Sequence, residues 1–404
     1  GYLRQRMASG GKFYHFADRE GGANTGAVAL LGLTLVESGA NFQDADVQKA
    51  ATQVRQHAQS LKFTYSIALS ILFLDRLSAD RPKDTPAEDA DLIRKLALRL
   101  IGSQNAKAGW DYHCRVLSAI EEQNLLKNLE SGQHQVGDTA KNVPVREYDD
   151  NSIGQFVTLA LWTARKHNLP VRSTLLAIEE RYRAKRRPEG NWSYNETNPF
   201  LKDSSTCAAL IGLAVGRGIR DKEEVGKSNL LKDDAVMSGL DHIKSILRPG
   251  RAVAASEIAI RKKHTADMEA VFALMETTND QKEFDEARAK LLELDKSPLM
   301  SGHFFGGDNW GDLYFLWSLE RLCMIYGLDK IGDVDWHEWG SDFILTSQQA
   351  DGSWQERFPG VPDTCFAMLF LMRANVAKDL TDKLRELMQG AGVQQQPGAP
   401  PKRE

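Results

Sequence analysis

The stretch Gln348–Val376, QQADGSWQERFPGVPDTCFAMLFLMRANV, decides how the chain is read. A helix-ending Gln pair leads through a Gly/Trp loop to Asp363-Thr364-Cys365, where a wholly apolar helix begins. The same order returns in AGWDYHC from Ala108, GNWSYN from Gly190 and GGDNWGDLYFLW from Gly306. Each of these loops stands ahead of, or runs into, an apolar helical segment. Such self-similarity marks a repeat protein, in which each unit buries its apolar face against its neighbours.

Working outward from that stretch, six apolar helices alternate with six amphipathic ones. The apolar set is GAVALLGLTLVESG, capped by Asn24 or Thr25; TYSIALSILFLDRL from Thr64; IGQFVTLALWTARKHN after Asp149-Asp150-Asn151-Ser152; AALIGLAVG after Ser204-Ser205-Thr206-Cys207; LYFLWSLERLCMIYG; and the helix after Asp363. The amphipathic set spans about Asp44 to Gln59, Pro86 to Gln104, the segment after Pro170 as far as Arg187, Asp233 to Leu247, Asp335 to Gln348, and Ala377 to Met388. A helix that is apolar all round must be surrounded, and an amphipathic one lies outside it. An open array would expose its terminal apolar helices, and closing the ring removes those ends. The expected fold is all-α, an (α/α)6 toroid of six inner and six outer helices with a charged helical insertion. The Tyr2-Leu3 fragment is expected to abut the last outer helix or to supply part of it. One toroid domain is expected over residues 1–390, with a polar insertion at 118–147 carrying EEQNLLKNLE, a helical insertion at 248–300 on the rim, and a disordered Gly/Gln/Pro tail at 391–404.

With 404 residues, 51 basic against 55 acidic groups and a net charge of −4, the chain has no basic stripe, which argues against a nucleic-acid partner. The RKKH run at Arg261 to His264 reads as a solvated helix face. Cys114, Cys207, Cys323 and Cys365 are far apart, without a CxxC pair, and read as free thiols. The longest apolar run, Tyr65 to Leu74, is far short of the roughly 18 residues of a spanning helix, so no transmembrane segment is expected. The opening Gly1-Tyr2-Leu3-Arg4-Gln5 reads as the tail of a helix already in progress, and the compartment stays open.

The loops QQADGSW and SQNAKAGW resemble the repeats of squalene and other triterpene cyclases and of protein prenyltransferase β-subunits. The arrangement of DNSIGQFVTLALW, STCAALIGL, YFLWSLERLCMIYGLDKIGDVDWHEWG and DTCFAMLFL more closely resembles bacterial prenyltransferase/squalene oxidase repeat proteins. The resemblance spans nearly the whole chain except the insertion and tail. It implies a terpenoid-cyclase-like toroid with a hydrophobic, isoprenoid or lipid, ligand in a central cavity. The same fold carries other activities, so it specifies architecture more than chemistry.

Two family chemistries can be tested on residues. Hopene-forming cyclases protonate an alkene from a DxDD motif, and here the nearest candidate, Asp149-Asp150, lacks that motif. Asp150 at a helix start reads as an N-cap whose amide hydrogen bonds lower its pKa, making it a poor acid. Protein prenyltransferases hold zinc through Asp-x-Cys and a later His, and they require a helical partner subunit. Asp363-Thr364-Cys365 matches the first part, with His15 across the ring seam, His303, or the Asp111-Tyr112-His113-Cys114 cluster as candidates for the rest. A helix N-terminus would favour the thiolate. The favoured reading is nevertheless a capping Asp363 and a packed Cys365, with no cofactor required. Asp111 and His113 are expected on one side of an extended loop, joined by a hydrogen bond or serving as a ligand pair. Cys207 and Cys323 read as packing residues. No phosphate loop or nucleophile elbow occurs.

What remains is a mouth where the inner helices begin. Its expected ligand-binding residues are His15, Tyr65, Tyr112, Asn151, Ser205, His303, Trp310, Tyr314 and Trp354, with Asp150, Asp308, Asp312 and Asp363 as the candidate acids. Converging helix N-termini would make this mouth favourable to anions. Three other readings stay open: aromatic side chains that simply fill the centre, a non-catalytic scaffold that binds a protein partner through the insertions, and a carbohydrate-active enzyme using Asp308, Asp312 or Asp150.

Overall fold

The computed structural model describes residues 1–8, 23–79, 89–137, 149–195, 202–221, 224, 229–247, 267, 270–271, 274–275, 278, 280–295, 313–356, 358 and 360–389. These form fifteen α-helices and one two-stranded ribbon, so the chain is all-α. α1 (Tyr2–Ala8) precedes a first pair, α2 (Ala23–Glu37) and α3 (Ala45–His57). A second pair, α4 (Thr64–Ala79) and α5 (Ala90–Gly102), is followed by the short α6 (Ala119–Glu130). α7 (Asn151–Ala164) and α8 (Arg172–Ala184) come next, then α9 (Lys202–Gly218) and α10 (Asp234–Ile246). α11 (Gln281–Asp295) is the longest described part of the expected helical insertion. α12 (Leu313–Tyr326) leads through the ribbon β1 (Lys330–Ile331) and β2 (Val334–Asp335) to α13 (Trp336–Ser347), α14 (Val361–Leu371) and α15 (Lys378–Gln389).

The apolar helices are neighbours in space. α2 packs on α4, α4 on α7, α7 on α9, α9 on α12, α12 on α14, and α14 on α2. Within α7 every residue except Ser152 is buried, as a helix surrounded on all sides requires. The amphipathic helices pack on this set from one face: α3 on α2, α5 on α4, α8 and α10 on α9, and α13 on α12 and α14. Asp44, Asp233 and Asp335 start α3, α10 and α13 by accepting two backbone amides each, and a Ser118–Glu121 capping box starts α6. The polar 118–147 segment thus holds α6, which lies on α5.

The loops that revealed the repeat share one construction. Trp110, Trp192 and Trp354 each donate the indole N–H to a carbonyl ten residues earlier, on Leu100, Tyr182 and Ile344, all at 2.7 Å. Five residues before each Trp, a backbone N–H bonds the carbonyl of the residue preceding it: Asn105 to Gly109, Arg187 to Asn191 and Gln349 to Ser353. Two residues before each Trp, the backbone has positive φ, at Ala108, Gly190 and Gly352. Glycine takes that conformation without strain, and Ala108 adopts it where the sequence has none. Each Trp therefore holds the last turn of an amphipathic helix to the loop that leads into the next apolar one.

A side chain of an amphipathic helix wedges between apolar helices where glycine leaves room. The buried Tyr182 of α8 lies so close to α9 that a Cβ on Gly212 would sit 2.4 Å from its Cδ2, and one on Gly154 of α7 would sit 2.7 Å from its hydroxyl. Gly212→Ala is therefore expected to destabilise the protein by about 1–3 kcal/mol through overpacking, read as a lower urea midpoint.

Two placements differ from the sequence expectation. α15 does not lie beside its repeat partner like the other amphipathic helices. It crosses the C-terminal ends of three apolar helices: Asp379 accepts from Trp162 Nε1 at 3.1 Å and pairs with Arg165, Leu380 packs on Gly218, and Thr381 donates to the Met324 carbonyl at 3.1 Å. α1 instead packs on α3 and reaches α14, with Arg4 forked onto Asp44 and Asp46 at 2.7 Å each. An amphipathic pattern states that one face is covered, and either partner satisfies it. Most of 248–300 and all of 391–404 lie outside the described residues.

Candidate functional site

The first residue of α7 gathers the described site. Asp150 caps α7 through the amides of Ser152 at 2.7 Å and Ile153 at 3.3 Å. Asn151 then ties the loop after Trp192 to this helix start, donating to the Ser193 carbonyl at 2.6 Å while its backbone amide bonds the Tyr194 carbonyl. That tie brings Tyr194 over Asp150, to which it donates a hydrogen bond, and Tyr112 Oη lies 2.5 Å from Tyr194 Oη. Tyr112 arrives on a segment bonded to the start of α4 by Thr64 N to the Tyr112 carbonyl at 2.8 Å. From α4, Tyr65 Oη donates to Ser152 Oγ at 2.8 Å, and Ser152 Oγ in turn donates to Tyr314 Oη of α12 at 2.9 Å.

Deeper along α7 and α12 the network reaches a buried cation. Gln155 pairs donor with acceptor on every side when its amide nitrogen faces Tyr314 Oη at 3.0 Å and Ser318 Oγ at 3.2 Å, and its oxygen faces Arg321 Nε at 3.2 Å. The Arg321 guanidinium lies over the Trp317 ring, 3.2 Å from its centroid. Around this column stand Phe156 against Trp317 at 5.3 Å, Trp317 stacked on Phe366 at 4.7 Å, and Tyr314 within 6.4 Å of Phe358. The arrangement is an aromatic surface with a line of hydroxyls along one side.

The acid in this site behaves contrary to the sequence expectation. Burial pushes the Asp150 carboxyl up to about 6, against the lowering by Tyr194, the Ser152 and Ile153 amides and Tyr112. Capping was expected to lower it, but desolvation outweighs the hydrogen bonds when the carboxyl is 1% exposed. Asp149, its neighbour, turns the other way to Lys185 at 2.8 Å and Arg181 at 3.1 Å. Burial likewise raises the Tyr65, Tyr194 and Tyr314 phenols, which stay protonated donors.

The other sequence candidates fall elsewhere. Tyr65, Tyr112, Asn151 and Tyr314 come together with Asp150 as described. Trp354 is buried and its indole N–H is engaged by Ile344. Ser205 lies in the first turns of α9, buried, with its hydroxyl unpartnered. Asp363 is not an N-cap: Gly360 occupies that position, and Asp363 Oδ2 accepts from the amides of Glu356 at 2.6 Å and Phe358 at 3.0 Å. His15, His303, Asp308, Trp310 and Asp312 lie outside the described residues. The sequence reading missed Tyr194, Gln155 and Arg321; polar residues inside otherwise apolar helices are the signal for the last two.

The zinc candidates are described only in part, since His15 and His303 lie outside the described residues. Burial pushes the Cys365 thiol up to about 12, and Asp363 Oδ2 accepts the loop amides of Glu356 and Phe358. Among the described residues no group of three His, Cys, Asp or Glu side chains is gathered to hold a metal ion. No hydrogen bond joins Asp111 to His113: Asp111 turns to the Tyr112 amide at 2.6 Å, and the exposed His113 lies against Phe63. A polar cleft of about 550 Å³ at the far end of α9 is lined by Glu179, Arg183, Arg217, Arg220 and Asp233 among others, and its charges largely pair with one another. No described helix is long and apolar enough to cross a membrane.

Comparisons with protein-family models, with curated proteins and with solved structures each returned no match. The cyclase and prenyltransferase resemblance therefore rests on its motifs alone.

Proposed function

We propose that the apolar helices form the inner wall of an (α/α)6 toroid, and that its centre, where α4, α7 and α12 begin, binds a hydrophobic ligand of isoprenoid or other lipid-like character. Support for the ring is the unbroken cycle of neighbours from α2 through α14 and back to α2. One observation carries the ligand reading. Four tyrosine hydroxyls, from α4, α12 and the loops after Trp110 and Trp192, converge on Asp150 and Ser152 beside Phe156, Trp317, Phe358 and Phe366. Aromatic faces match apolar chains by dispersion and area, and a few placed hydroxyls orient a single polar group. The DxDD motif is absent, so binding is the activity proposed. The carbohydrate-active alternative needs a second carboxyl beside Asp150: Asp149 is ion-paired away from it, and Asp308 and Asp312 lie outside the described residues.

Titration with farnesol and with cetyl alcohol, followed by tryptophan emission, tests the reading because Trp317 stacks on Phe366 in the site. Saturable quenching is expected, weakened about tenfold by Phe366→Ala, equivalent to ~1.4 kcal/mol. Quenching that never saturates with either alcohol, up to its solubility, would remove the hydrophobic-site reading.

A further inference from the structure

Glu320 and Arg321 are consecutive, fully charged residue types in the middle of the apolar α12, and both are buried, at 0% and 1% exposure. A charge in such a place demands a partner or a function. They make no ion pair with each other, consecutive helix residues projecting about 100° apart, although each feels the other's charge. Neither Glu320 oxygen has a hydrogen-bond partner, and the charges felt by that carboxyl beyond Arg321 are those of Glu37 and Arg373. Arg321 instead lies on the side of α12 shared by Tyr314 and Ser318, at positions i, i+4 and i+7. It is therefore about 10 Å farther along the helix than the tyrosine cluster. Gln155 satisfies its Nε and Nη2 edge. Nη1 has no partner, and neither has Nε1 of Trp317, the ring on which the guanidinium rests.

We infer that the central site recognises a carboxylate, with Arg321 Nη1 and Trp317 Nε1 as the donors to the head group of an amphiphilic acid. This deepens the hydrophobic-ligand reading and rests on it. Two orphaned donors, one of them charged, call for an acceptor that brings negative charge into a desolvated place. A diphosphate carries several negative charges, whereas the cation described against these rings is Arg321, and burial pushes the neighbouring Glu320 carboxyl up toward its neutral form. A monoanion matches that guanidinium. The acid would enter head first, with its chain lying along Phe156, Phe366 and Tyr314.

The probe is cis-parinaric acid, a fluorescent long-chain carboxylate, compared with its methyl ester. The folded protein is expected to bind the acid at least tenfold more tightly than the ester. Arg321→Met should bring acid and ester within about threefold of one another, and Trp317→Phe should reduce the preference with the ring packing retained. Glu320→Gln should leave the preference in place. If Arg321→Met does not fold, Arg321→Lys, which keeps the charge without the fork, should give an intermediate preference. Equal affinity for acid and ester in the unaltered protein, or a preference that survives Arg321→Met, overturns the carboxylate inference while the hydrophobic site stands. Absence of binding by both compounds removes the hydrophobic site and this inference together.

Discussion

Replacing Trp192 with alanine is expected to destabilise the protein by about 3–5 kcal/mol, among the largest effects of any single substitution here. The side chain is fully buried and its N–H satisfies the Tyr182 carbonyl, one of the terminal carbonyls of α8 that have no partner within the helix. Alanine would leave a cavity and an orphaned acceptor at the same point. Trp192→Phe keeps most of the volume and loses the hydrogen bond, so a smaller loss of about 1–3 kcal/mol is expected. The same ordering should hold at Trp110 and Trp354, because each makes the equivalent bond at 2.7 Å. Guanidinium denaturation of the three alanine variants provides the check. A loss below about 1 kcal/mol at all three would mean that these loops do not fasten the amphipathic helices to the apolar ones.

The second large effect concerns acidity. Asp150 has its folded-state carboxyl raised to about 6 from the ordinary 3.8. Between those values the folded protein retains a proton that the unfolded chain has released. Its contribution to stability is thus fully present below about pH 4 and is lost as pH rises through about 6. A rise of about two units corresponds to roughly 3 kcal/mol. Asp150→Asn can still cap α7, since asparagine accepts the same amides, and it has no charge to desolvate. The difference in stability between variant and unaltered protein should therefore be small near pH 4 and grow to about 3 kcal/mol in favour of the variant by pH 7. Urea midpoints measured every half unit of pH would show this, and parallel profiles for the two proteins would contradict the buried-acid description.

The sequence made the repeat legible because its signals are local. A Trp set two residues after a left-handed backbone position, ahead of a helix apolar on every face, can be read directly at Gly190 and Gly352. Burial of a single carboxyl is not local. Asp150 looks like a solvated cap until Tyr194 and Tyr112 are seen covering it, and those tyrosines come from different loops. The same limit applied to α15, whose pattern fixes a covered face without saying what covers it. Gln155 and the Glu320-Arg321 pair were visible as breaks in apolar helices, but their significance depended on what each faced across the centre. Asp363 shows the reverse case, where a helix-start aspartate that looked like a cap turned back to hold the loop before it.

The contact between α2 and α14 carries a consequence for how the molecule is made. These helices are more than three hundred residues apart in sequence, yet each is apolar all round and each lies against the other. During synthesis α2 and α4 can pair as soon as they emerge, but the remaining flank of α2 has no cover until α14 leaves the ribosome. α15, which crosses the ends of α7, α9 and α12, arrives later still. At about 5–20 residues per second, that flank stays bare for roughly 15 to 65 seconds. Nascent chains stalled before residue 361 should therefore present sticky apolar helix surface and engage chaperones, and chains released past residue 389 should not.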